Sequence, residues 1–414
     1  MKNISYIYLY VEKFNKHEKF ILLDFVSDSD FFNFAKRQDY PMYDQQYFAS
    51  MLLIEQVSFD KYLYLKEGSI YKVPMESLLE LRWNRRLYDE IDSSIIAFTY
   101  NDTSLTDPNQ GEKLSRLFQE EVSTKPFVYK LTKTWSGAPC GAKSLTKNIE
   151  VVVKQVGQGS WNEIREYEKC KVVFDIGCSI FYSKEECKTL LGDDPFKDSP
   201  SLIISHWDID HYNLLCVTSD DDLKKICCAH VPSECISLTS KHIASRLENN
   251  CFYLCAIDAI VTRKIKRRVS LNVEYSGNHY FLLAGETSKN KNLSGLALIV
   301  WNCKSSIFFC ADHSYQQVFE DMMSVAETIF LKLALIGIQH TYHVIVPHHG
   351  GNAGDLGCLY SFKVPRKAIP GKAVVSTGKN NYGHPLELVR TSFCDRGFQW
   401  TRMDFATEDV RIML

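Results

Sequence analysis

No run in this 414-residue chain approaches the roughly 18 consecutive apolar residues of a membrane-spanning helix. The opening stretch, MKNISYIYLYVEKF, lacks the small-residue cleavage site of a secretory signal. A soluble, cytoplasmic protein with no membrane partner is therefore the expectation. Glycine (20) and proline (12) are too sparse for a collagen-like or low-complexity chain. Neither charge sign is in excess: 48 Lys and Arg stand against 50 Asp and Glu, a net charge of -2. That balance excludes a general polyanion-binding field, so any nucleic-acid ligand has to be gripped locally. What remains is an ordinary globular composition, 45% hydrophobic and 24% charged.

Two further scarcities are regional. No cysteine precedes Cys140, and His17 is the only histidine before His206. This step, with the turn-rich Ser136–Ser144 stretch, predicts a boundary near residue 140 between domains spanning 1–140 and 148–414. The first part combines strand-like NISYIYLYV, FILLDFV and SSIIAFTY with helix-like ESLLELRWNRRLYDEI and GEKLSRLFQEEV. It reads as a small α+β recognition or regulatory module, the place for a protein partner, without a chemical motif. Arg82, Arg85 and Arg86 would fall on neighbouring faces of its helix, better read as a solvated face than as an anion site. The 14 irregularly spaced cysteines predict free thiols in a reducing compartment. Cys227-Cys228-Ala229-His230 and the Cys251/Cys255 pair lack a second pair at zinc-finger spacing and read as small buried side chains.

After residue 148 apolar runs alternate with loops and helical stretches, and polar residues recur where the runs end. Asp175 follows KVVF, His206, Asp208, Asp210 and His211 follow SLIIS, and Asp312 follows IFFCA. His348 and His349 follow HVIVP, and His384 follows VVSTGKNNYG. Taken singly, Asp175 initiates a turn, His340 and His343 flank a strand, and His313 is structural. The quartet His206, Asp208, Asp210 and His211 is different, because four ionisable groups within six residues repel and desolvate one another unless a cation joins them. Imidazole with carboxylate is a ligand set for zinc, manganese or iron.

The ordered set of motifs resembles the metallo-β-lactamase superfamily, and more closely the hydrolase domain of competence-type DNA-uptake proteins of the ComEC kind. The resemblance runs through Val156-Gly157-Gln158-Gly159, Asp175-Ile176-Gly177, His206-Trp207-Asp208-Ile209-Asp210-His211, Asn292-Leu293-Ser294 and Ala311-Asp312. Val346-Pro347-His348-His349-Gly350-Gly351 and Lys379-Asn380-Asn381-Tyr382-Gly383-His384-Pro385 complete it. It implies an α+β class αββα sandwich with a dinuclear site along one edge. Asp210, His211 and His384 would bind one metal, His206 and Asp208 would serve the other, and Asp312 would bridge. One of His348 and His349 would complete the site or protonate the leaving group. Asp208 replaces the second histidine of the superfamily's commoner form, although the closer family also uses aspartate there, and it suits manganese as well as zinc. Gln155 and Ser160 stand where relatives carry acids, and Ala311 stands where they have glycine.

The implied activity is hydrolysis of a phosphodiester, as a nuclease or phosphodiesterase, with water activated between two divalent ions, zinc or manganese. Asp210, His348 and His349 are the candidate catalytic residues. Backbone around Gly157 and Gly159, with Arg267 and Arg268 in the basic run Thr262–Arg268, would hold the substrate, although that run also reads as a charged strand edge. Two alternatives stay open. One is hydrolysis of a small molecule such as a cyclic nucleotide, phosphorylated headgroup or ester. The other is a non-enzymatic interaction protein with a structural or vestigial metal site.

Overall fold

A computed structural model describes the chain except residues 1–4, 17–18, 40–49, 56, 58–64, 82, 86–95, 102–113, 115, 132–134, 147, 262–268, 289, 362–367, 379–382 and 406–407. The class is α+β, divided into two compact units. The first comprises Met1–Lys130, Phe181–Thr189 and Glu234–Arg246; the second comprises Leu131–Ile180, Leu190–Ser233 and Leu247–Leu414. A single cut near residue 140 therefore does not describe the division, since two segments from the later sequence belong to the first unit. Local composition cannot show that exchange, which depends on contacts between residues far apart in sequence.

The first unit is built on seven strands: β1 (Tyr6–Asn15), β2 (Phe20–Phe25), β3 (Met51–Glu55), β4 (Ile70–Pro74), β5 (Asn84–Arg85), β6 (Ile96–Asn101) and β7 (Glu120–Val122). They form one sheet in the order β5-β6-β3-β2-β1-β4-β7. Leu9, Val11, Leu23, Phe25, Leu52 and Ile54 share a core with Phe31, Phe34 and Ala35 of the helix Asp28–Arg37. Ser27 caps that helix by accepting from the Asp30 N–H at 3.2 Å. The helix expected over Glu76–Ile91 is shorter, Met75–Leu79. Leu81 and Trp83 then alternate into the core, and the Trp83 indole donates to the Leu78 carbonyl at 2.8 Å, closing the helix end. Arg85 consequently lies in a strand paired with β6, while Arg82 and Arg86 lie outside the described residues. The expected Gly111–Val122 helix also stops early, because Glu120–Val122 pairs with β4.

After β8 (Tyr129–Lys130), the second unit begins its first sheet with β9 (Ile149–Val153), β10 (Trp161–Glu166), β11 (Lys169–Ile176), β12 (Ser201–Ile203) and β13 (Cys228–Pro232). Then β14 (Glu234–Cys235) returns to the first unit to pair with β8. β15 (Leu254–Ile257) follows, and the second sheet comprises β16 (Leu271–Ser276), β17 (Tyr280–Gly285), β18 (Leu296–Trp301), β19 (Ser305–Phe309), β20 (His340–Ile345), β21 (Ala368–Val375) and β22 (Gln399–Arg402). β23 (Val410–Met413) closes the chain by joining the first sheet. The orders are β15-β13-β12-β11-β10-β9-β23 and β16-β17-β18-β19-β20-β21-β22.

β18 and β19 form a hairpin, antiparallel from Leu298↔Phe309 to Trp301↔Ser306. Asn302 accepts from the N–H groups of Lys304 and Ser305 in its turn. His340 and His343 lie within β20 rather than flanking it. The two sheets pack face to face: Val151, Val153, Ile164, Phe174 and Ile203 of one share a core with Leu282, Leu298, Ile307, Phe309, Ile345 and Val374 of the other. On the opposite face of the second sheet, Phe308, Tyr342, Val344 and Val375 meet a helical stripe of Val318, Phe319, Met322, Met323, Ala326, Ile329 and Phe330. That stripe has helical spacing and runs through a π-type turn, Gln317–Met322, into the α-helix Met323–Leu335. The carboxyl-terminal halves of β20 and β21, Val344-Ile345 and Ala373–Val375, are covered on both faces and apolar throughout. Among the described residues no helix is long and apolar enough to cross a membrane.

Candidate metal centre

Each half of the second unit contains adjacent parallel strands: β11, β12, β13 and β15 in one sheet, β19, β20, β21 and β22 in the other. Parallel strands deliver their carboxyl ends to one edge, where loops carry side chains into a common crevice. Asp175 ends β11, His206–His211 follow β12, Asp312 follows β19, His348 and His349 follow β20, and His384 follows β21. The backbone is held in left-handed conformations at Asp175 (φ 56°), Ala311 (φ 46°), His348 (φ 50°) and His349 (φ 50°). Non-glycine residues rarely adopt them, and their clustering here marks a site whose side-chain directions are imposed by surrounding structure.

The histidines share one arrangement. His211 Nδ1 lies 2.8 Å from Asp175 Oδ2, His206 Nδ1 lies 2.9 Å from Ser205 Oγ, and His349 Nδ1 lies 2.8 Å from the Ser376 carbonyl. Ser205 itself donates to Asp175 through its N–H (2.7 Å) and its hydroxyl (3.0 Å), so its oxygen accepts from His206. Each Nδ1 is thereby the N–H donor, and each ring presents Nε2 inward. The Nε2 atoms of His206, His211 and His349 are buried and make no hydrogen bond. They nevertheless face carboxylates: His206 to Asp208 at 3.3 Å and to Asp312 at 3.9 Å, His211 to Asp312 at 3.2 Å, and His349 to Asp210 at 3.4 Å. Ligand atoms of His206, His211 and Asp312 lie within 4.8 Å of one another, as do those of Asp210, His211 and His349.

Asp312 is the common point of these contacts. It faces His206 and His211, and accepts the His348 Nδ1–H at 2.8 Å. Burial works to raise its carboxyl pKa, but His348 and His211 outweigh that and hold it well below the usual range. At His211, burial favours the neutral ring, yet Asp175 and Asp312 prevail and raise its pKa well above 6.5. Asp208 repeats the pattern: burial opposes its charge, while the Lys291 ammonium and His206 keep it ionised. Lys291 pairs with Asp208 and donates to the Trp207 carbonyl at 3.2 Å.

His384 stands beside this group, its ring centroid 5.8 Å from that of His348. A Cβ built on Gly351 would fall 2.0 Å from His384 Cε1 and 2.8 Å from His348 Cδ2, so Gly351 gives the two rings their room. His348 and His349 diverge in role: the side chain of His349 is 5% exposed and aimed at Asp210, whereas that of His348 is 27% exposed. His313 is fully buried, and burial followed by the nearby His206 pushes its pKa down to about 4, the behaviour of a neutral structural ring.

The glycine loop packs rather than opens. Gly157 and Gly159 are buried; a Cβ on Gly159 would meet the Cys178 backbone at 2.4 Å, and Gly378 abuts Gly157. Ser160 N–H donates to the Asp210 carbonyl at 3.0 Å, while Ser376 Oγ donates to that of Gly159. The loop thus ties the metal motif to the loop after β21. Arg267 and Arg268 lie outside the described residues.

The sequence reading missed Lys291, Ser205 and Ser376. Lys291 stands one residue before the Asn292-Leu293-Ser294 motif and carries no mark of its own, while the other two act through groups that any serine possesses. No protein-family model matches this chain, and no curated protein matches it.

Proposed function

We propose that the second unit is a metal-dependent hydrolase with the αββα sandwich of the metallo-β-lactamase superfamily, and that its reaction is phosphodiester cleavage, as in a nuclease. The observation that carries this reading is the shared orientation of three buried histidines, each with Nδ1 committed to an acceptor and Nε2 turned toward a carboxylate without a hydrogen bond. Buried imidazoles aimed in this way fit the donor set of a divalent metal, which satisfies both the orphaned nitrogens and the crowded carboxylates.

His206, Asp208 and Asp312 would serve one ion and Asp210, His211 and His349 a second, with His384 beside them to complete the set. Bound there, zinc or manganese would supply water activation near neutral pH and stabilise charge on a phosphoryl group. Three carboxylates among the ligands favour hard ions, hence manganese beside zinc. The protein's own groups have separate tasks. Asp175 and Ser205 fix the rings of His211 and His206, and Ser376 fixes His349. Lys291 keeps Asp208 charged and brings a cation to the rim, where a substrate phosphate oxygen would meet it. His348 Nδ1–H donates to Asp312, so the ring would have to be the imidazolium to give an Nε2 proton to a leaving oxygen, returning to the neutral Nδ1–H form.

The test is metal analysis of the purified chain and its Asp210→Ala variant. Both are then assayed on single-stranded DNA, duplex DNA, RNA and bis-p-nitrophenyl phosphate with manganese or zinc. About two metals per chain and cleavage that falls to background in the variant are expected. Bound metal with equal inactivity of both proteins across the panel would refute phosphodiester hydrolysis. Turnover of the small ester alone would identify a small-molecule hydrolase.

A further inference from the structure

A second cluster of potential ligands lies in the same unit and takes no part in the centre described above. The sulfur atoms of Cys140, Cys227 and Cys228 lie within 4.8 Å of one another, and those of Cys227 and Cys228 are 3.9 Å apart. We propose that Cys140, Cys227 and Cys228, with Ser201 Oγ as a fourth donor, form a thiolate site for a d10 cation of the zinc class.

Three observations support the site. A tetrahedral ion with zinc–sulfur bonds of about 2.3 Å needs sulfurs about 3.8 Å apart. The Cys227–Cys228 separation already meets that spacing. Ser201 Oγ lies 3.1 Å from the Cys228 sulfur and 3.6 Å from that of Cys227, within reach of an ion held by them. Finally, these thiols differ from others in the chain. Cys170, Cys178 and Cys310 point to backbone carbonyls, the ordinary resting state of a buried thiol. Cys227 and Cys228 contact each other and Ser201 instead.

The fold assembles the cluster deliberately. Ser201 and Cys228 are register partners in the parallel pair β12–β13. Cys140 comes from the segment that leads into β9, and its N–H donates to the Cys228 sulfur at 3.3 Å while the Gly141 N–H donates to Ser201 Oγ at 2.7 Å. Only glycine permits that approach, since a Cβ at position 141 would lie 1.7 Å from the Lys171 carbonyl oxygen. A metal ion takes these sulfurs as thiolates, so binding would release thiol protons to solvent. Ser201 opens β12 and His206 follows its other end, about 16 Å of extended chain away. The thiol site therefore stands or falls independently of the hydrolase reading. Its role would be to pin the Cys140 segment to the sheet.

Cadmium titration of the reduced, metal-free full-length chain tests this, carried out in an Asp210→Ala background to weaken the histidine and carboxylate centre. One equivalent is expected to produce the sulfur-to-cadmium charge-transfer absorption. Cys140→Ser and Cys227→Ser should each weaken that binding about tenfold or more. Absence of the band, or a band undiminished in both variants, would overturn the proposal. Because either variant can disturb folding, the same question is put to the unmutated chain by iodoacetamide labelling and peptide mapping with and without zinc. Zinc should protect Cys140 and Cys227, while the exposed Cys303 and Cys394 stay reactive as internal references. Equal labelling of Cys140 and Cys227 in both conditions, or their recovery as a disulfide, would count against the site.

Discussion

At the scale of single residues, the proton on His211 is one contribution to the pH response whose sign the surroundings fix. In the metal-free chain burial disfavours its charge, but Asp175 and Asp312 raise its pKa well above 6.5. A raised pKa stabilises the fold fully below about pH 6.5, the unfolded value, and that contribution is lost as pH rises through the folded value. Metal binding has the opposite sign, because the ion needs the Nε2 lone pair that the proton occupies. The melting temperature of the metal-free protein is therefore expected to fall from pH 6.5 into the alkaline range. Over the same range the increase produced by zinc or manganese should grow. Scanning fluorimetry across pH with chelator and with metal checks both slopes, and parallel slopes would remove His211 from the ligand set. Asp175→Asn should shrink the pH dependence and weaken metal binding about 10- to 100-fold, since it deprives the ring of its orienting carboxylate. Chelator competition measures that loss. The ligand motif itself was legible because its expense is local: four ionisable groups in six residues after an apolar strand. Lys291 was not, since an isolated lysine gains meaning only through the carboxylate it reaches.

At the scale of elements, the strand ends matter more than the strands. β19, β20 and β21 run parallel and place Asp312, His348, His349 and His384 on one edge, with Gly351 making room for two rings. Gly351→Ala is expected to leave the circular dichroism spectrum unchanged yet lower metal affinity about tenfold or more by displacing His384, an effect comparable to loss of an orienting contact. Unaltered affinity would mean that the two rings shift at no cost to the site. Apolar runs and helical stretches were readable because burial on a regular element leaves a period in the sequence. The Glu76–Ile91 reading failed where tertiary packing took over: Trp83 turns into the core and closes the helix that its neighbours' propensities would have extended.

At the scale of the whole molecule, the chain passes between its units at 130–131, 180–181, 189–190, 233–234 and 246–247. Removing residues 1–147 would strip Phe181 of Phe20, Thr239 of Asp24, β14 of β8, and Leu238 of its core. The truncated chain 148–414, which also loses Cys140 and the core residues Ala142 and Leu145 of the second unit, is accordingly expected to be less soluble and to melt lower than the full protein, despite retaining every candidate ligand of the histidine and carboxylate centre. Sedimentation of expressed material and thermal melts provide the comparison. Equal solubility and melting would show that the two borrowed segments contribute nothing outside the first unit.

The sequence by itself determined the apolar runs of the second unit, the polar residues at their ends and the inventory of candidate metal ligands. These are consequences of burial and charge among near neighbours, which a linear pattern records. Only the tertiary structure decided which nitrogen each histidine turns inward, that Asp312 faces two of the candidate histidines and accepts from His348, that Lys291 holds Asp208, and that Cys140 reaches Cys227 and Cys228. Those relations join residues from different strands, and parallel crossovers and sheet register, rather than any local period, bring them within a few ångströms.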